Sequence, residues 1–173
     1  MATLTDEIRK GFDKADALIK TALLNMMSEF AYECIKDTQN QKEFTGFTGQ
    51  TQTSYMAGVF YNGKLVSTVD NTYTKKPVFR KIRRGERKYL RHPYEGDSRT
   101  TIGRVNVNDM SGKETSVAFL RSYKDVPKKG WAVVVTTGTE YSEYIESVRR
   151  LNVLTNTAAF ADVIFDSVVK EVV

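Results

Sequence analysis

The chain predicts an α+β protein: a long N-terminal helix, a small antiparallel sheet with a basic hairpin arm inserted, and a C-terminal helix packed on the sheet. Three observations carry that reading. Apolar residues recur at three- and four-residue steps through the first third of the chain. Around Asn62-Gly63 the period changes to two. A β-prone run, Trp131 to Val135, precedes a last helical pattern.

The helical third contains Leu4, Ile8, Phe12, Ala15, Ile19, Ala22, Leu23, Met26, Phe30, Ala31, Cys34 and Ile35. Thr5, with Asp6 and Glu7 in the first turn, supplies a start, because the unpaired amide hydrogens there favour negative charge. The pattern runs to about Lys36, with Gly11 as a candidate interruption. Polar residues from Gln39 to Gln52 read as a linker. Tyr55, Ala57, Val59 and Tyr61 then line one face of a strand, and Leu65, Ser67 and Val69 suit its return. Asn62-Gly63 joins the two, since a type I′ turn needs positive φ at both central residues.

Val105 and Val107, the turn-like Asp109-Met110-Ser111-Gly112, and Val117, Phe119 and Arg121 suggest a second hairpin. That hairpin completes an extended basic arm over roughly residues 71–130, within a single α+β domain spanning 1–173. Trp131 to Val135 reads as a central strand, followed by a short Tyr-rich turn. Asn156 or Thr157 caps the closing helix, whose apolar side carries Phe160, Val163, Ile164, Val168 and Val172.

Composition narrows the function. One cysteine, Cys34, cannot form an internal disulfide and belongs in the core. No apolar run reaches the roughly 18 to 20 residues that cross a bilayer, and Met1 to Lys20 is too charged for a signal peptide. The expectation is a protein used in a reducing interior or carried out within a particle. His92, the single histidine, lies among cations that disfavour its protonation and reads as a solvated or contact residue, and one histidine with one cysteine offers no zinc-finger spacing. Gly46-Phe47-Thr48-Gly49 and Gly112-Lys113-Glu114 lack phosphate-loop spacing and read as turns. Glu140, Glu143 and Glu146 read as solvated or contact carboxylates. Neither catalysis nor a cofactor is expected.

The basic stretch is the feature with functional content. From Lys75 to Arg104 eleven cations stand against three acids, an excess larger than the whole-chain net charge of +5. Lys75, Lys76, Arg80, Lys81, Arg83, Arg84, Arg87, Lys88 and Arg91 interleave with Phe79, Tyr89 and Tyr94. That mixture suits nucleic-acid phosphates with stacked bases, and equally an acidic groove on a partner protein. Protein contact is favoured, because the stretch has no recognised nucleic-acid signature.

Two segments resemble a family. Thr48-Gly49-Gln50-Thr51-Gln52-Thr53-Ser54 resembles the T-G-x-L-x-x-S opening of the first hairpin in phage tail-completion, or head-to-tail joining, proteins, with Thr51 in place of the leucine. Thr137 to Glu146 (TGTEYSEYIE) resembles their strand-ending G-T-x-Y-A-x-Y-x-E-x-G pattern, with Ser147 directly after Glu146. The order of elements agrees, apart from the basic arm. The resemblance implies a homo-oligomeric ring in the virion neck, assembled in the host cytoplasm. It would touch adjacent neck, portal or tail proteins and, non-specifically, packaged DNA, and no membrane. It places Tyr141, Tyr144 and Glu146 at a subunit or inter-ring surface and the basic arm against a partner or DNA. The lysine-, tyrosine- and asparagine-rich composition would fit a Bacteroidetes phage, and the most specific expectation the resemblance gives is a neck ring protein of a crAss-like podovirus.

Overall fold

The computed structural model describes residues 4–41, 50–70, 79–81, 104–106, 111–139, 141–148 and 151–172. Helix α1 (Leu4–Gln41) runs unbroken through Gly11, about 57 Å at 1.5 Å per residue. A short helix α2 (Gln50–Ser54) leads directly into strand β1 (Tyr55–Tyr61), which turns back into β2 (Lys64–Asp70). Asn62 and Gly63 take φ of 50° and 78°, the positive values their dipeptide predicts. Asn62 also accepts the Gly130 amide hydrogen at 2.8 Å and donates its own to the Gly130 carbonyl at 2.9 Å. The turn is thereby tied to the loop that precedes β5 (Trp131–Thr137).

The three long strands form an antiparallel sheet in the order β2-β1-β5. Trp131 to Val135 therefore lies on an edge, not at the centre as its composition suggests. Its unbroken apolar run has another cause: both faces of the sheet are covered. Trp131, Val133 and Val135 pack with α1 residues Ala31 and Ile35, whereas Ala132 and Val134 pack with Leu120. The central strand is β1, buried from Tyr55 to Phe60.

Strand β2 alternates less simply than its sequence implies. A register shift at Val59/Phe60 sets Leu65 opposite Phe60, and Val69 opposite Ala57. Leu65 consequently joins the cluster beneath Leu120 while Val69 joins the cluster beneath α1. Val66 is the residue in excess, 44% exposed.

The second hairpin expected near residue 112 is a helix. Helix α3 (Ser111–Ser122) buries Gly112, Ser116 and Leu120, a four-residue spacing hidden behind the alternating Val117 and Phe119. Gly112-Lys113-Glu114 is thus the first turn of a helix rather than a loop. Lys113 forms an ion pair with Asp70, fastening α3 to the end of β2. From residue 111 the chain belongs to the body, so an arm extending to 130 is too long. The described part of the insertion is a two-stranded ribbon, β3 (Phe79–Lys81) with β4 (Arg104–Asn106).

The Tyr-rich turn is a helix as well, α4 (Tyr141–Ser147). The closing helix is divided at Phe160 into α5 (Thr155–Ala159) and α6 (Ala161–Val172). Phe160 and Val163 are 53% and 65% exposed rather than on the apolar side, and α6 turns Val168 inward with Ile164 and Phe165 half-buried. Phe165 meets Phe30 of α1 edge to face at 5.3 Å. Thr157 does not cap α5: it is buried and donates to Asp37 at 2.7 Å, with Thr38 Oγ1 3.0 Å away. Cys34 is core as expected, and burial pushes its thiol up to about 11, far from the thiolate that would react.

Candidate functional site

Residues 51–54 and 137–142 meet at one end of the sheet. Antiparallel pairing sets Tyr55, the first residue of β1, opposite Thr137, the last of β5. Their flanking hydroxyls then converge. Ser54 Oγ lies 2.6 Å from Thr137 Oγ1, Ser142 Oγ is 2.6 Å from Thr139 Oγ1, and Thr139 donates to Thr51 at 3.3 Å. Ser116 of α3 completes the unit by donating to the Ser54 carbonyl at 2.6 Å. Ser54 and Ser116 are fully buried.

Close approach of backbones makes this possible. A Cβ on Gly138 would overlap the Gly112 carbonyl oxygen and stand 2.6 Å from the Ser116 amide nitrogen, so only glycine lets the end of β5 rest on α3. Sequence reading missed Gly112 and Ser116 as members of this unit. Their only local signal was small size at helical spacing, which two residue types shared with turns. The hydroxyls of the unit bond one another and backbone carbonyls. Among the described residues no three His, Cys, Asp or Glu side chains gather as metal ligands, and no described helix is long and apolar enough to cross a membrane.

Of the residues expected at an assembly surface, Tyr141 and Tyr144 lie on α4 and their side chains are outside the described set. Glu146 faces inward along the chain. Its carboxylate accepts the amide hydrogens of Leu154 at 3.1 Å and Thr155 at 2.7 Å, and the Thr155 hydroxyl as well. Asn152 supports the same turn, accepting the Asn156 amide hydrogen at 3.0 Å while donating to the Gln41 carbonyl at 3.2 Å. Glu146 and Asn152 thus cap α5, the role that the sequence suggested for Asn156 or Thr157.

Burial alone pushes the Glu146 carboxyl up, but the bonds from Thr155, Leu154 and Val153 outweigh it and hold the group below its ordinary 4.5. A folded value below the unfolded one means stabilisation that is complete above pH 4.5 and lost as pH falls through the folded value. Glu146→Gln should therefore cost about 1 kcal/mol at pH 7, typical for a helix cap. In urea titrations at a series of pH values, the gap between the two proteins should close in acid.

In the basic segment, Arg80 and Lys81 lie in β3, and the register sets Arg80 opposite Val105 and Lys81 opposite Arg104. Lys75, Lys76, Arg83, Arg84, Arg87, Lys88, Arg91 and His92 lie outside the described residues.

Helix α1 holds what the periodic pattern concealed. Its apolar positions do not form one buried side. Ala31, Cys34 and Ile35 are buried, whereas every residue from 5 to 22 is exposed, including Ile8 at 51%, Phe12 at 73% and Ile19 at 60%. No family model matches the chain, and no curated protein or solved structure matches it.

Proposed function

We propose that this chain is a structural protein of the phage neck, a head-to-tail joining or tail-completion ring subunit that connects portal-side and tail-side proteins around the DNA channel. The observation that carries the reading is the convergence of Thr51 to Ser54 with Thr137 to Ser142 in one hydrogen-bonded unit. Two stretches 83 residues apart, each resembling the same family, form a single structural element. The sequence of long helix, hairpin, strand and closing helices agrees with that family.

The physical character of the chain also supports assembly over catalysis. The buried hydroxyls of Thr38, Ser54, Ser116, Ser142 and Thr157 are hydrogen-bonded, and half of its longest helix exposes large apolar side chains that gain by burial against another surface. In this reading the chain works without a cofactor, resides in the virion, and uses Tyr141, Tyr144 and the basic segment against neighbouring subunits, adjoining neck proteins or DNA. A closed ring needs two different complementary surfaces on each subunit.

Electron microscopy of purified protein and of the particles that contain it is the test, with rings at the neck as the expected result. A monodisperse monomer absent from every particle would overturn it. Steeply salt-dependent DNA binding by that monomer would favour a basic nucleic-acid-binding module instead, the reading that the cationic excess over residues 75–104 supports.

A further inference from the structure

The exposed half of α1 carries its apolar residues on a different side of the helix from those that the buried half turns toward the sheet. Ile8, Phe12, Ala15, Ile19, Ala22 and Met26 are spaced four, three, four, three and four residues apart, the 3.5-residue seam of a two-helix coiled coil. The first five are exposed and Met26 is half-buried. A helix that packs only on its own sheet does not need this repeat over residues that are all exposed.

We infer that residues 5–22 of α1 pair with the same segment of a second copy, antiparallel, about a two-fold axis. Three features select that occupant and that direction. In an antiparallel pair the residue that follows each Ile8-type position faces its counterpart across the seam. Here those residues are Arg9 and Asp16, opposite in charge, so each copy's Arg9 meets the other's Asp16. On the other edge Leu18, 63% exposed, falls beside the other copy's Gly11, where nothing stands within 4 Å of a Cβ position. A parallel pair sets Asp16 against the other copy's Gly11 and leaves Arg9 with no acidic residue opposite, so it matches no charges.

The third feature is continuity with the helix packing already present. Thr157 of α5 meets Asp37 and Thr38, and Phe165 of α6 meets Phe30, so the α5–α6 segment runs back along α1 toward its N-terminus. At equal rise per residue, α6 ends opposite about residue 23 of α1. With Phe12 layered on the other copy's Ala15, that copy's α1 begins opposite about residue 22 and continues the line of α6. The globular bodies then lie at opposite ends of the shared segment and do not collide.

A two-fold contact closes on itself, so it adds to the ring reading rather than supplying the ring's own closing surface. In a ring-forming subunit it joins copies in pairs or joins two rings face to face.

The test uses the full chain in sedimentation equilibrium, with circular dichroism as the folding control. Phe12→Asp with Ile19→Asp should leave the melt cooperative, because neither side chain is buried in the single chain, and should weaken pairing at least 100-fold. Direction is read by cross-linking. Ile8→Cys mixed with Ile19→Cys should give a disulfide-linked pair under mild oxidation, and Ile8→Cys alone should not. A monomeric wild type, an oligomer indifferent to the Asp substitutions, or Ile8→Cys linking to itself would overturn the inference. Wild-type binding to anionic vesicles as a monomer, lost in the Asp variant, would overturn it too by assigning the stripe to a lipid surface. Rings that persist with both Asp substitutions sink the helix pair and leave the ring reading standing; pairs without rings do the reverse.

Discussion

Gly138→Ala is expected to destabilise the protein by about 3 kcal/mol, the upper end of the usual cost of forcing extra volume into a packed site. The added carbon would overlap the Gly112 carbonyl oxygen and press on the Ser116 backbone and hydroxyl, and backbone cannot rotate away as a flexible side chain can. Relief requires α3 to withdraw from the end of β5. That movement breaks the Ser116 to Ser54 bond and loosens the unit that joins the two family-like segments. Urea denaturation should show a lower midpoint, and hydrogen exchange should speed first in α3 and around Thr137. Gly11→Ala is the contrasting control: nothing lies within 4 Å, and alanine in a helix interior should stabilise by roughly 0.5–1 kcal/mol. An unchanged midpoint in Gly138→Ala would mean that β5 and α3 do not touch as described.

Phe60→Ala should cost still more, about 3–5 kcal/mol, the range for emptying a buried aromatic site. Phe60 is 2% exposed and packs with Met56 and Leu120, beneath the face of the sheet that α3 covers. Gly58 leaves room for this, since a Cβ there would stand 2.9 Å from the Phe60 ring and 3.0 Å from Leu120. The cavity has no nearby flexible element to collapse into it, because β1 is held by strands on both sides. Phe119→Ala, on the exposed side of the same helix, should lose less than about 1 kcal/mol. The comparison is made by chemical denaturation with an unchanged m-value; equal losses at the two positions would contradict the packing of α3 on the sheet.

Periodicity and turn chemistry reached a good part of this molecule. The long helix, the Asn62-Gly63 hairpin, the strand at Trp131 and the closing helical segment all depend on relations among residues a few positions apart. Positive φ at a two-residue turn is a demand that asparagine and glycine meet locally, whatever the remaining chain does. Residues 48–54 and 137–146 are likewise short strings, each legible by itself. What made them one unit, the Ser54, Thr137, Ser116 and Gly138 contacts, was not, because pairing across 83 residues leaves no trace in either string.

Errors arose where one pattern serves two structures. Val117 and Phe119 alternate as a strand would, while Gly112, Ser116 and Leu120 repeat as a helix must, and small residues such as Ser111 and Gly112 suit a turn as well as a helix start. An apolar run such as Trp131 to Val135 reports burial on two faces, which a central strand and a covered edge strand share.

Local order in this chain was therefore set by its residues alone, since propensity and periodicity act over a turn or a pair of strands. Three matters waited for the folded chain: which strand sits in the middle, whether Glu146 caps a neighbour, and how much of α1 finds a partner. The same apolar spacing runs through both halves of α1, yet only past residue 22 are its side chains buried or half-buried, against the sheet and α6. Burial depends on what else occupies the space beside a side chain, and a one-dimensional pattern holds no information about that space.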